Sequence, residues 1–184
     1  NQVYRSTNLG QSFSKVTPSA NGHNNVILKD ASWDEDIIIV IANDTWVMTS
    51  IDGGDTWTSA YKPHGSTRPA MVADDGSKLY ILSEDNRVSS WDGSSWDTRI
   101  PLTGEFGDLR GLLYADGIFW ALDKETMWKG GANITDTFVS TGSGNGEDYS
   151  TYGKHFLKIG DAFVFNQKVQ WSSLDEGQTW VQAS

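Results

Sequence analysis

The chain contains no cysteine, which removes disulfide frameworks, thiolate zinc sites and cysteine nucleophiles together while leaving the redox compartment open. Positive charge is scarce: 14 Lys and Arg stand against 24 Asp and Glu, a formal charge of −10. That sign repels phosphate backbones and anionic membrane surfaces. No nucleic-acid partner is expected. No apolar run approaches the roughly 18 residues of a spanning helix, so no membrane insertion is expected either. The first residues, Asn1-Gln2-Val3-Tyr4, lack a signal peptide's layout and an initiating Met, and Asn1 reads as a processed or truncated end. Proline is down to 4, whereas 9 Trp and 19 Gly supply β-formers and turn residues, a mixture that disfavours a helical domain. A length of 184 residues suits one domain with a sizeable core.

What the sequence does have is a repeat. Ser50, Asp52, Gly54, Thr56 and Trp57 define a Ser-x-Asp-x-Gly-x-Thr-Trp box, and Ser173, Asp175, Gly177, Thr179 and Trp180 fill every fixed position again. Three degenerate boxes follow the same plan: Ser6, Asn8, Gly10, Ser12 and Phe13; then Ser90, Asp92, Gly93 and Trp96, one residue shorter; then Asn133, Thr137 and Phe138. The closing aromatics at 13, 57, 96, 138 and 180 are 44, 39, 42 and 42 residues apart, the length of one supersecondary unit.

Four strand-length segments recur between boxes. In the second unit they are Asn25 to Lys29, Asp36 to Ala42, Thr45 to Ser50 and Thr56 to Tyr61. The second segment of each unit is almost solidly apolar, as in Ile37 to Ile41 and Ile118 to Leu122, which fits strands covered on both faces. The third and fourth alternate more, as in Val47-Met48-Thr49-Ser50, and read as strands nearer a solvated edge. Radial stacking of four-stranded units covers both faces of each sheet. The fold class that follows is an all-β propeller of four-stranded antiparallel blades, a single domain over 1–184 with repeats at about 1–18, 19–61, 65–100, 108–141 and 150–183. A two-sheet sandwich is the competing architecture, and it gives no reason for one turn motif in every unit. Only Gln2 to Ser6 precede the first box, so the chain holds four complete blades plus a half blade, about eighteen strands. A half blade leaves bare strand edges. We therefore expect contact with another chain, or a missing segment of a longer polypeptide, to complete it.

Each box belongs in the hairpin between the third and fourth strands. Asp52 and Asp175 are suited to accept from the turn's own N–H groups, Gly54 and Gly177 to supply a positive φ, and the closing aromatic to pack on the blade. Asn8 and Asn133 keep an acceptor oxygen without the charge, which favours a structural role over catalysis. At these residues the motif resembles the Asp-box, or bacterial neuraminidase repeat, of sialidases, other glycoside hydrolases and several non-enzymatic propellers. The resemblance spans almost the whole chain and implies a sialidase-like propeller whose boxes lie away from the functional site. It implies no activity. Sialidases carry an arginine triad, a Tyr nucleophile paired with Glu, and an acidic Asp. This chain has only Arg5, Arg68, Arg87, Arg99 and Arg110, and Arg99-Ile100-Pro101 follows the third box with Thr98 in place of the family's aromatic. No catalytic residue is assigned.

No metal ligand and no cofactor are expected, because His23, His64 and His155 are far apart and no recognised ligand spacing occurs. The sequons at Asn43 and Asn133 are no more than the composition supplies. Binding is expected at the blade ends opposite the boxes, among loops that include 14–24, 62–67, 101–108 and 140–153. Tyr149 and Tyr152 beside Asp148, with His64, Arg68 and Asp44 on other loops of that end, are the candidate ligand-binding residues. Tyrosine with carboxylate suits a protein contact or a stacked sugar. The resulting reading is a non-catalytic recognition or structural module for a protein or glycan, in an extracellular, cell-surface or virion setting. The alternative is a fragment or relative of a sialidase-like glycoside hydrolase.

Overall fold

A computed structural model of the chain describes residues 3–16, 28–34, 37–42, 46–61, 69–83, 85–97, 99–107, 109, 111–123, 126–143, 155–166 and 170–182. Every regular element among them is a β-strand. A two-stranded sheet pairs β1 (Val3–Arg5) with β2 (Ser14–Val16) around the first box. Four four-stranded antiparallel sheets follow. One joins β3 (Leu28–Asp34), β4 (Ile37–Ala42), β5 (Trp46–Ser50) and β6 (Thr58–Tyr61). The next joins β7 (Pro69–Asp74), β8 (Leu79–Ser83), β9 (Arg87–Trp91) and β10 (Ile100–Pro101). The third contains β11 (Gly111–Ala115), β12 (Ile118–Leu122), β13 (Thr126–Lys129) and β14 (Val139–Ser143). The last contains β15 (His155–Ile159), β16 (Ala162–Asn166), β17 (Gln170–Ser173) and β18 (Val181–Gln182). In each, consecutive strands are neighbours, so the first-to-second and third-to-fourth hairpins share one end and the second-to-third turn lies at the other.

The chain divides into two compact units, Asn1–Ile81 with Ser89–Arg99, and Leu82–Val88 with Ile100–Ser184. In the first unit, β3 lies beside β7, and Val47, Val72, Leu79, Ile81 and Trp91 form one buried cluster with Trp96 at its margin. Trp91 and Trp96 stack at 6.3 Å between ring centres. In the second unit, β11 lies beside β15, and Trp120 meets Phe163 at 4.6 Å. Gly111 leaves the space in which Phe156 packs, since a Cβ there would come within 3.1 Å of it.

Two segment readings change. The first strand of the second unit is Leu28–Asp34 instead of Asn25 to Lys29, and it pairs with β4 as far as Asp34↔Ile37 across a register shift between Leu28 and Ala31. Its polar residues are drawn into a strand because the apolar β4 needs a partner along its length. The third strands are also buried: Val47, Met48, Thr49 and Ser50 are all under 5% exposed, although alternation placed them nearer solvent. Their hydroxyls find partners inside, Thr49 with Thr58 at 2.7 Å and Ser50 within its box. A satisfied hydroxyl is cheap to bury.

Candidate functional site

The box corners share one geometry. In the second, the Ser50 hydroxyl donates to Asp52 Oδ1 at 2.7 Å and accepts from the Gly54 N–H at 2.8 Å. The Asp52 carboxylate then accepts from the Thr56 N–H at 2.8 Å and from its hydroxyl, and the Trp57 indole donates to the Gly54 carbonyl at 3.0 Å. The fifth corner repeats this with Ser173, Asp175, Gly177 and Thr179 at 2.6 to 2.8 Å. In the first, Asn8 Oδ1 accepts from the Ser12 N–H at 2.9 Å and the Ser6 hydroxyl serves Gly10. The fourth and fifth positions of all three boxes have positive φ: Leu9 and Gly10, Gly53 and Gly54, Glu176 and Gly177.

The degenerate corners solve the same problem differently. In the third, Asp92 accepts from the Ser94 and Ser95 N–H groups, while the Ser90 hydroxyl turns to Asp97, which also meets Lys78 at 2.6 Å. In the fourth, Gly131 occupies the serine position and has no hydroxyl. There Asn133 donates its N–H to Asp136 at 2.9 Å, so Asp136 is the acceptor the sequence had placed at Asn133. Phe138 is only 2% exposed.

These bonds decide what the carboxylates can do. Asp52 is lowered to about 2 by the Thr56 hydroxyl and N–H, and Asp175 to about 2 by the same groups of Thr179. The Ser95 and Ser94 N–H groups push Asp92 down strongly. Asp97 is lowered first by Lys78. Asp75 is lowered by the Tyr80 hydroxyl and the Ser77 and Lys78 turn against an opposing desolvation. A general acid needs the opposite shift.

Corners also reach neighbouring sheets. In the first unit Arg5 donates to the Gly53 carbonyl at 2.5 Å and pairs with Asp55 at 2.7 Å. In the second, the Lys129 ammonium meets both Glu176 oxygens at 2.9 Å, and the Thr141 hydroxyl lies 2.6 Å from the Glu176 carbonyl. Gly53 and Glu176 hold the same box position. Gly177 sits so close to Met127 that a Cβ would fall 2.6 Å from it.

At the opposite end of the blades, residues 101–107 and Leu109 are pinned by two side chains. Asn86, at a φ of 57°, donates from Nδ2 to the Gly107 carbonyl at 2.8 Å and accepts from the Leu109 N–H at 3.1 Å. Asp123, 7% exposed, accepts from the Thr126 N–H at 2.7 Å, the Trp128 indole at 2.9 Å and the Gly107 N–H at 3.2 Å. Phe106 packs edge-on against Trp128 and Phe138 at 5.2 and 5.6 Å, and the Thr103 carbonyl accepts from the Phe138 N–H at 2.8 Å. This loop, read from sequence as part of a binding face, wedges in through Leu102, Phe106 and Leu109 and leaves Pro101, Thr103, Gly104, Glu105 and Gly107 exposed. Neither Asn86 nor Asp123 is among the candidate residues read from the sequence. The available signal was Asn86, one of the few residue types that accept a left-handed conformation.

The candidate ligand residues Tyr149, Tyr152, Asp148, His64, Arg68 and Asp44 all lie outside the described residues. Among the described residues no three His, Asp or Glu side chains gather to hold a metal.

No protein-family model and no curated protein matches the chain. Solved structures do. YCF48 from Cyanidioschyzon merolae superposes with a TM-score of 0.61 at 11% identity, over 86% of this chain and 56% of that one. A structure of YCF48 bound to D1 peptide gives 0.58 at 16% identity, over 98% of this chain and 60% of that one. Glutaminyl cyclase of Myxococcus xanthus gives 0.59 at 15%, over 84% and 68%. The chain thus spans 56 to 60% of the YCF48 chains. These neighbours are β-propellers, and with the repeated antiparallel meanders above the fold is a β-propeller of four-stranded blades.

Proposed function

We propose that the chain is a non-catalytic, Asp-box-type propeller module that recognises a protein partner through the connections at the blade ends away from the boxes. The observation that carries the non-catalytic half is the state of the box carboxylates and their neighbours: Asp52, Asp92 and Asp175 are shifted downward by hydrogen bonds of their own turns, Asp75 by the Tyr80 hydroxyl and its turn, and Asp97 by Lys78. They are fixed anions with structural duties. The protein half draws on the propeller neighbour solved with a bound D1 peptide, and on the Asn86 and Asp123 bonds that hold one inter-strand connection rigid at that end. In this reading residues 1–184 form one domain, and Tyr149, Tyr152, Asp148, His64, Arg68 and Asp44 supply contacts. The β1–β2 half blade is completed by a partner chain or by further polypeptide. A glycan is the second ligand class that such tyrosines suit.

Synthetic peptide and glycan arrays probed with the chain test this reading. Peptide binding lost in Tyr149→Ala and Tyr152→Ala supports it. Binding to glycans alone moves the module to carbohydrate recognition, and turnover of a fluorogenic sialoside or glucoside above the buffer rate returns the glycoside-hydrolase alternative.

A further inference from the structure

The connection that follows β10 is stapled by one residue of another turn. Asn86 accepts from the Leu102 N–H on its carbonyl at 3.0 Å, donates from Nδ2 to the Gly107 carbonyl and accepts from the Leu109 N–H on Oδ1. One residue thus holds the segment at three places. It does so from a left-handed backbone, at a φ of 57°, which few residues other than glycine adopt. Asp123 adds a carboxylate only 7% exposed, a placement tolerated only with hydrogen bonds such as those from Gly107, Thr126 and Trp128. Leu102 and Leu109 are buried, and the Phe106 ring lies so close to Gly104 that a Cβ there would fall 2.5 Å from it.

Between these anchors Thr103, Gly104 and Glu105 stand exposed in succession, and the Thr103 carbonyl is itself fixed by the Phe138 N–H at 2.8 Å. A link that only joins two strands needs neither a left-handed asparagine nor a buried carboxylate. Where a chain keeps such features, they mark a backbone whose shape matters to function. A tip already held in one conformation also loses less entropy when a partner orders it. We infer that Thr103 and Glu105 contact the protein partner, and that Asn86 is the positioning residue that presents them. This rests on the proposed recognition of a protein at this end of the blades. It adds to that reading a contact element on a different connection from Tyr149 and Tyr152.

The test titrates the chain by calorimetry with the synthetic peptide it binds most tightly on the array, with circular dichroism to verify folding. Thr103→Ala combined with Glu105→Ala truncates two exposed side chains and weakens binding about fivefold or more, as loss of ordinary interface contacts does. Asn86→Gly keeps the left-handed backbone and the carbonyl bond to Leu102 but loses both side-chain bonds. It weakens binding about threefold or more, through a less favourable binding entropy. The triple variant binds no more weakly than Thr103→Ala with Glu105→Ala alone, because a positioning residue then has nothing left to present. Additive losses, which a purely structural role of Asn86 gives, overturn the inference, as does an Asn86→Gly chain that binds like the wild type. Peptide binding that Tyr149→Ala abolishes but Thr103→Ala with Glu105→Ala leaves unchanged overturns it while the proposed function stands. An array on which no peptide binds removes both.

Discussion

Asp52 and Asp175 show how much structure one side chain can organise at the surface. Each titrates near 2 in the folded chain against an ordinary 3.8, so between those values the folded state binds fewer protons than the unfolded. The stabilisation is complete above about pH 4 and lost as pH falls toward 2. Thermal melts should show that loss, and the double variant Asp52→Asn, Asp175→Asn should flatten it while still folding, because Asn8 already serves the first corner with an uncharged oxygen. Gly177 tests the corner's second duty. Gly177→Ala and Gly117→Ala both place alanine at a φ near 80°, at about 1–2 kcal/mol each. Only Gly177 also faces Met127, whereas nothing lies within 4 Å of a Cβ at Gly117. Urea unfolding should therefore show the larger loss for Gly177→Ala, and equal losses would remove the inter-sheet role. The sequence motif marks these residues by type and spacing. It does not show that the serine hydroxyl serves both the carboxylate and the glycine N–H, nor that Asp136 replaces Asn133 once Gly131 removes that hydroxyl.

At the scale of elements, the apolar second strands are legible because continuous Ile, Leu, Val and Phe runs tolerate few environments. β3 is less so: its residues 29, 30, 32 and 34 are polar, and its strand conformation is imposed by β4. Thr49 and Ser50 look solvent-facing by composition and are buried because Thr58 and Asp52 satisfy them. The wedge loop is the clearest case of a tertiary decision. Asp123→Ala strands the Trp128 indole and the Thr126 and Gly107 N–H groups, an expected loss of about 1–3 kcal/mol, and hydrogen exchange at Gly107 and Leu109 should quicken before the rest of the unit opens. Phe138→Ala removes a ring only 2% exposed and wedged against Phe106, at about 3–5 kcal/mol in chemical unfolding. Phe13, 62% exposed in the equivalent position, should cost far less.

At the scale of the whole chain, a period near 42 residues was enough to read the blade, since no other common architecture places one corner in every unit. The ligand was not legible to the same degree. Recognition depends on loops whose composition is ordinary for turns, and the bonds that fix them, such as Asn86 to Gly107, connect residues 21 positions apart. What unites the three scales is the corner, a polar knot at the surface that holds its hairpin and, at the second and fifth boxes, is tied to a neighbouring sheet. Amide hydrogen exchange at Gly54, Thr56, Gly177 and Thr179 measures this directly. The account predicts that these four amides exchange as slowly as those of β5 and β17, and that Thr56 and Thr179 lose their protection as acid protonates Asp52 and Asp175. Exchange at the rate of an unstructured peptide at neutral pH would contradict it.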